Sequence, residues 1–422
     1  MYSLHPKNPY KVLNKSSRGY IRERCQRWAI KEKEELAEEV EEKEKSWMRS
    51  SFLPSCFNHY NQHLKMPNLQ PPAKVLVSGA NGFVAIWVVR TLLEKGYAVR
   101  GTVRSANKGN HLKEIFAEYG DNLEVLVVED ITKEGAFDAA VKGVDTIEHT
   151  ASPFHMNAVD PEELIQPAVK GTVGMLKSAF KYGSSVKRIV VTSSCAAVYE
   201  DFPDARVFSE LDWNEQAIKE VQEKGKDALP GNKYRSSKTL AEKAAWAFVK
   251  DNKPKWDLVV LNPPYVFGPP IHAVSAPSDL NTSVADWYQT VLTPNAAPEK
   301  LKTGNCWIDV RDLALAHVRA VEREEAGGER IVISQGSFPS VNAVNALPKS
   351  ALFGVANQTI PRGDPAFVEP TPHIAYNTSK AARVLGMGAK LPGQGINGNF
   401  VVLKGLGECA QGMVEEFGRR GW

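Results

Sequence analysis

The chain has no apolar run approaching the length of a membrane-spanning helix, which excludes a spanning segment of the usual kind. Its first 30 residues are polar, so no secretory signal is expected. It lacks an excess of charge of one sign: 52 Lys+Arg stand against 49 Asp+Glu. Neither a nucleic-acid partner nor a membrane surface is therefore expected. Cysteine is scarce. Cys25, Cys56, Cys195, Cys306 and Cys409 are odd in number, scattered and never spaced as CxxC. That pattern argues against a disulfide framework or a zinc site, predicts no metal, and points to a reducing, cytoplasmic setting. What the chain does have is bulk: 422 residues, 43% of them apolar, are enough for a core that needs no covalent staples.

Composition changes sharply near residue 66. Residues 1–65 carry 13 Lys+Arg and 9 Asp+Glu, a net of +4 that exceeds the +3 of the whole chain. The basic excess thus belongs to this leader. Within it, 12 of the 15 residues from Lys31 to Lys45 are charged. Ile30, Leu36, Val40 and Trp47 make too thin a stripe to hold a helix against a core. A charged, poorly ordered extension is expected over 1–65, and Met66 reads as an ordinary start for the unit spanning 66–422.

From Lys74 onward, strand and helix patterns alternate. Apolar runs at 74–79, 98–103, 123–128, 144–150, 188–193, 257–262 and 330–334 predict strands; helices are expected near 83–95, 108–118, 133–141, 161–182, 233–250 and 309–322. About seven strands alternating with helices predict an α/β fold, a doubly wound (Rossmann) parallel sheet. Its core is expected over about 73–265 plus 306–335. A smaller discontinuous substrate lobe, richer in Pro, Gly and irregular runs, is expected over about 200–231, 266–305 and 336–422.

Gly79-Ala80-Asn81-Gly82-Phe83-Val84-Ala85 lies between the first strand and the first helix. Gly79 permits a tight turn, Gly82 lets backbone approach a pyrophosphate, and Ala85 allows close helix–strand packing. The helix N-terminus then offers free N–H groups to phosphates. The motif is weak alone and gains force from opening a long strand–helix series. The second strand ends without an acid for a ribose hydroxyl. It continues instead into Arg104 and Lys108, which suit a 2′-phosphate and so NADPH. Asp130, with Ile131, follows the third strand as a candidate for the adenine end. Thr150, Ala151 and Ser152 follow the fourth strand and are expected to line the cofactor channel. His149 beside them is expected to be neither catalytic nor metal-binding.

Reduction at a carbonyl needs a proton donor and a group to hold the oxygen. Tyr234 and Lys238 are four residues apart and share a helix face. The ammonium is expected to lower the phenol's pKa. A second YxxxK, Tyr376–Lys380, follows the last strand and is read as structural. Ser194, at a strand end, is placed to hold the carbonyl oxygen.

The segments VLVSGANGFVA, GTVRS, HTASPF, VVTSSCAAVY, YRSSKTLAEKAAW, NPPYVFGP and IDVRDLALAH, with NTSKAARVLG near the end, resemble the extended short-chain dehydrogenase/reductase family. Within it they are similar to the dihydroflavonol 4-reductase, cinnamoyl-CoA reductase and fungal methylglyoxal/aldehyde reductase group. The resemblance implies a catalytic triad of Ser194, Tyr234 and Lys238. It also implies NADPH contacts from Gly79, Asn81, Gly82, Phe83 and Val84, from Arg104, Lys108, Asp130 and Ile131, from Thr150 to Ser152, from Tyr234 and Lys238, and from Pro263 and Val266. Phe154, Cys195, Tyr199 and Tyr265 would border the substrate. Ala85 replaces a third glycine, and residues 350–370 match no segment of the group, which leaves the lid over the substrate open.

The expected activity is NADPH-dependent reduction of an aldehyde or ketone by a monomer or homodimer. Two alternatives stand beside it. One is a nucleotide-sugar epimerase or dehydratase: the dehydratases would place an Asp-Glu pair where Ser194 is followed by Cys195-Ala196, and both usually favour NAD, against Arg104 and Lys108. A non-catalytic NADPH-binding regulatory protein would leave the Ser-Tyr-Lys set without a purpose.

Overall fold

The computed structural model describes residues 69–152, 157–292, 304–339, 372–389 and 399–422. The chain divides between Lys65 and Met66, and all described residues fall in the unit that begins at Met66. Along the chain run β1 (Lys74–Ser78), α1 (Phe83–Glu94), β2 (Ala98–Val103), α2 (Ala106–Ile115), β3 (Leu123–Val127), β4 (Thr146–His149), α3 (Glu162–Tyr182), β5 (Arg188–Thr192) and β6 (Arg206–Phe208). Then follow α4 (Glu215–Lys224), α5 (Pro230–Asn252), β7 (Asp257–Asn262), β8 (Tyr265–Phe267), α6 (Thr282–Trp287), β9 (Gly304–Asp309), α7 (Val310–Glu322) and β10 (Arg330–Val332). The last elements are β11 (Gly336–Pro339), β12 (Ile374–Tyr376), β13 (Met387–Gly388), β14 (Val401–Val402) and α8 (Leu406–Arg419).

The seven expected strands form one parallel sheet in the order β10-β7-β5-β4-β1-β2-β3. Both faces are covered. Val75 and Val77 of β1 pack with Ile86 and Val89 of α1 and with Ala314 and Val318 of α7. Leu76, one residue out of phase, packs on the other face with Ile147, with Met175 and Leu176 of α3, and with Ala245 of α5. A strand buried on both sides reads as a continuous apolar run, which is why these strands were visible in sequence. The strand order turns back at β1, which has β2 on one side and β4 on the other. The crevice at the carboxyl ends of such neighbours is the ligand position of open α/β sheets. Register places Ser78 opposite His149, so the loops leaving β1 and β4 emerge side by side.

One expected helix is absent. Residues 133–141 form a series of turns, with Gly135 at φ 72° within them and Gly143 at φ 68° just beyond. Phe137, Ala140 and Val141 are buried all the same. Their spacing imitates one face of a helix, while the left-handed glycines keep the backbone out of it. Helix α5 also begins earlier than expected, at Pro230, whose fixed φ and missing N–H suit a first turn. The remaining segments contain more regular structure than their composition suggested. β8, β9 and β11 make a three-stranded sheet, while β6 pairs with β12 and β13 with β14. Helix α8 packs Cys409, Met413 and Phe417 with Trp287 of α6 and Trp307 of β9. The stretch 350–370, singled out above as a lid, lies outside the described residues. No helix among the described residues is long and apolar enough to cross a membrane.

Arg188 fastens the sheet at the end remote from the crevice. Its side chain is buried on β5 and forks onto Asp257 of β7, with Nε to Oδ1 at 2.7 Å and Nη2 to Oδ2 at 2.8 Å. Its Nη1 donates to the Ala320 carbonyl in the last turn of α7, at 2.8 Å, where a cation is favoured by the helix dipole. Gly327 completes the fit, because a Cβ there would lie 2.2 Å from an Asp257 carboxylate oxygen. Arg188→Met leaves that carboxylate without its partner. It is expected to cost about 3–5 kcal/mol, read as a lowered denaturation midpoint of the full-length protein. An unchanged midpoint would mean that the pair contributes nothing to stability.

Candidate active site

The turn after β1 is held from β2. Gly79 N donates to Thr102 Oγ1 at 3.2 Å, Ala80 N to the Thr102 carbonyl at 2.8 Å, and Gly82 N to the Gly79 carbonyl at 2.9 Å. Gly79 has φ 64°, and a Cβ there would sit 3.1 Å from the Ala151 Cβ. Gly101, which sequence reasoning left without a role, is needed as well: a Cβ there would lie 2.7 Å from that of Ala80. Gly82 is extended and caps α1, so the first-turn N–H groups of α1 have no intrahelical acceptors. The turn therefore forms a backbone cradle that side chains on Gly79 or Gly82 would crowd. Such a cradle fits the pyrophosphate of a dinucleotide.

Arg104 and Lys108 are both exposed just beyond β2, at the start of α2. Arg104 lies close enough to Asp130 to act on its charge. Asp130 is held below the usual carboxylate range first by the Thr132 hydroxyl and then by the Thr132 backbone N–H, with Lys133 and Arg104 adding smaller pulls. Ile131 reaches α3, where a Cβ on Gly171 would meet its Cδ1 at 2.9 Å. Its observed environment is helix packing.

Ser194 directly follows the Ser193 that ends the expected fifth strand, and its Oγ accepts from Ala196 N at 3.1 Å. It also hydrogen-bonds Tyr234. Tyr234 and Lys238 lie on one face of α5, with Lys238 Nζ 5.8 Å from the Tyr234 ring centroid. Lys238 Nζ donates to Ser152 Oγ at 3.0 Å, so the loop after β4 and helix α5 meet at this ammonium. Sequence spacing predicted that Lys238 would lower the pKa of Tyr234. The balance goes the other way. Burial pushes the phenol up to about 12, only partly offset by the Ser194 hydrogen bond. Burial also pushes Lys238 down to about 8, against the opposing charge of Glu242. Removal from water disfavours the charged form of both groups and is the largest cause of each shift.

His149 is buried behind the same loop. Burial first, and then Lys238, lower its pKa to about 3, so it is neutral. Its Nδ1 lies 2.9 Å from Ser78 Oγ.

A second buried group was not found from sequence, although one of the quoted motifs contains it. Glu242, one turn beyond Lys238, accepts from Ser193 Oγ at 2.5 Å, Asn262 Nδ2 at 2.8 Å and Arg330 Nε at 2.5 Å. Asn262 Nδ2 also donates to the Ser194 carbonyl at 3.1 Å. Arg330 in turn donates to the Ala197 and Asp212 carbonyls and lies 3.7 Å over the Trp213 ring. The carboxylate thus ties the helix bearing Tyr234 and Lys238 to the strand end bearing Ser194.

The glycine turn, Ser152, Ser194 and Tyr234 face a cavity of about 840 Å³. It brings together Gly79, Gly82, Phe83, Val84, Thr150, Ser152, Ser194, Cys195, Tyr199, Tyr234, Tyr265 and Val266 from the expected set. Asn81, Arg104, Lys108, Asp130, Ile131, Ala151, Lys238 and Pro263 stand outside its walls. Of these, Ala151 backs onto Gly79, Lys238 reaches Ser152, and the Pro263 carbonyl accepts from Cys195 N at 2.8 Å. Phe154 lies outside the described residues. Tyr376, read from sequence as structural, is also a wall of the cavity, packed 6.4 Å from Phe208. Asn305, Cys306, Ser337 and Ile374 join it from the small sheets. Nothing in their local sequence marks them; only the pairing of distant short strands brings them here.

Residues 75–334 match the NAD dependent epimerase/dehydratase family. The chain is 36% identical over 326 residues to ketoreductase azaE of Aspergillus niger, covering 74% of this chain and 92% of that protein. It is 40% identical over 306 residues to the putative NADPH-dependent methylglyoxal reductase GRP2 of Candida albicans, covering 69% and 86%. Among solved structures, it is similar to Gre2 from Candida albicans in complex with NADPH. That likeness has a TM-score of 0.70 and 34% identity, and covers 83% of this chain and 99% of the other. A cradle of glycines at the switch point, Ser194 and Tyr234 in the walls of the same cavity with Lys238 behind them, and these relatives agree, and the chain belongs to the NAD dependent epimerase/dehydratase family.

Proposed function

We propose that this protein is an NADPH-dependent reductase of an aldehyde or ketone. The observation that carries the reading is one cavity walled by the glycine cradle, Ser194 and Tyr234, with Lys238 beside the Tyr234 ring and bonded to the wall residue Ser152. Similarity to reductases named for NADPH supports it. The Gly79–Ala85 turn and the first turn of α1 would hold the pyrophosphate, and Arg104 and Lys108 the 2′-phosphate. When bound, NADPH supplies the hydride. Ser194 holds the carbonyl oxygen by donating a hydrogen bond as negative charge develops there. Tyr234 passes its phenolic proton to that oxygen. Lys238, fixed by Ser152, stabilises the phenolate left behind and is placed for the nicotinamide ribose. The protein's contribution is alignment and charge.

Tyr234→Phe is expected to lower kcat by about 10²–10⁴-fold while NADPH still binds, read by nucleotide fluorescence. Turnover at the wild-type rate would exclude Tyr234 as the proton donor. The double substitution Arg104→Ser, Lys108→Ser is expected to raise KM for NADPH by about tenfold or more, with little change for NADH. Equal loss for both nucleotides would remove the 2′-phosphate assignment.

Lys238 also predicts a pH dependence of stability. Its pKa is about 8 in the folded state, against an ordinary lysine value of about 10.4 unfolded. Below about 8 both states hold the proton, and the fold bears the full cost of a buried ammonium. Between the two values the folded state sheds its proton first, so stability rises with pH across this window. Denaturation midpoints of the wild type should therefore gain on those of Lys238→Met as pH is raised from about 8 to about 10. Parallel curves would show that Lys238 titrates at its ordinary value.

A further inference from the structure

The charge lining the cavity is lopsided. Among the described residues, no Asp, Glu or Lys forms its walls, and the one permanently charged side chain that does is Arg235. Arg235 follows Tyr234 directly on α5. Its guanidinium carbon stands 4.5 Å over the Tyr199 ring. Its Nη1 donates to Asp201 Oδ2 at 2.6 Å and to Asn232 Oδ1 at 2.9 Å, and the group also hydrogen-bonds the Tyr199 hydroxyl. The two members of the ion pair are unequally placed. The Arg235 side chain is 20% exposed and that of Asp201 57%. The carboxylate sits at the rim in water, while the guanidinium is drawn into the cavity wall. Its charge is felt at Tyr265, where it pulls the phenol down against burial and against Asp286.

An ion pair with one member so exposed contributes little to stability, so bracing the rim gives a weak reason for a charge here. A guanidinium carries five N–H donors in a planar fork matched to a carboxylate. Three hydrogen bonds to protein groups do not exhaust them. A cavity otherwise walled by tyrosines, by apolar residues such as Phe83, Val266 and Ile374, by His373 and by small or neutral polar groups would hold a small neutral aldehyde without this charge.

We infer that Arg235 forms a subsite for the carboxylate of an oxo-acid substrate whose carbonyl lies at Ser194 and Tyr234. The inference rests on the reductase reading above and names its substrate class. Consecutive helix residues diverge by about 100° around the axis, so the anion and the reacting oxygen occupy different sides of the cavity. The substrate therefore carries a spacer, such as an aryl ring, between its carbonyl and its carboxylate.

The test compares para-formylbenzoate with its methyl ester as substrates of the full-length protein with NADPH. The expected result is a kcat/KM for the acid about tenfold or more above that for the ester. The ratio should collapse toward unity in Arg235→Met and be partly kept in Arg235→Lys, which retains charge but loses the fork. If Arg235 only braces Tyr199 and Asp201, its replacement lowers both substrates in parallel and leaves the ratio unchanged, which overturns the inference. Equilibrium binding of para-(hydroxymethyl)benzoate and its methyl ester to the protein saturated with NADPH, a pair between which no hydride can pass, reads the same preference without turnover. A preference for the acid that is lost in Arg235→Met, with no carbonyl reduced, would support the subsite and overturn the reductase reading. Reduction of both substrates at a ratio near unity in the wild type would overturn the subsite and keep the reductase.

Discussion

The site depends on one buried carboxylate. Ser194 leaves the sheet at the end of β5, while Tyr234 and Lys238 stand on α5, and no covalent link fixes one relative to the other. Glu242 supplies the connection through Ser193, Asn262 and Arg330. A carboxylate withdrawn from water is tolerable only if it is paired and its lone pairs are satisfied. Here Arg330 pairs it, and the Ser193 hydroxyl, the Asn262 amide and the Trp246 indole N–H also donate to it. The same Asn262 amide nitrogen reaches the Ser194 carbonyl, so the position of Ser194 is set by the group that orients α5. A network of this kind is worth more for geometry than for stability, because hydrogen bonds of fixed length leave Ser194 little freedom relative to Tyr234.

Burial sets the electrostatics around that carboxylate. Tyr234 and Lys238 are both pushed toward their neutral forms, the phenol up and the ammonium down. A phenol that keeps its proton near neutral pH is the form a reduction needs. An ammonium held close to its own titration point responds to small changes around it, and Glu242 is the opposing charge nearest in the chain. The spacing Tyr-x-x-x-Lys specifies that the two groups meet. It carries no information about the surrounding dielectric, so the direction of the Tyr234 shift was not legible from it.

The sheet was legible because its central strands are buried on two faces, and an apolar run such as that of Lys74–Ser78 has few other structures to adopt. The cradle was legible because only glycine serves at Gly79. Residues 133–141 were misread because Phe137, Ala140 and Val141 keep helical spacing around a backbone bent by glycine. The small sheets were illegible for a different reason. β6 pairs with β12 across more than 160 residues, Phe208 opposite Tyr376, and neither strand exceeds three residues. No local pattern announces such a pair, and with it went the place of Tyr376 in the cavity wall. Arg235 was hidden by its neighbour, since a motif read as Tyr-x-x-x-Lys discards what occupies the x.

The remaining coupling runs from the cradle to Lys238 and can be followed proton by proton. Ser78 Oγ accepts from Thr150 N at 3.1 Å and from Ala151 N at 3.0 Å. With both lone pairs engaged, its own proton goes to His149 Nδ1, which places the histidine's proton on Nε2. A charged imidazole would reverse that bond, and burial keeps His149 neutral. The neutral ring thus fixes Ser78, Ser78 fixes the backbone at Thr150 and Ala151, and the next residue, Ser152, holds Lys238. Ala151 at the same time packs on Gly79. The loop after β4 is therefore shared by both halves of the site, so a side chain larger than alanine at position 151 would displace the glycine turn and the Lys238 ammonium together.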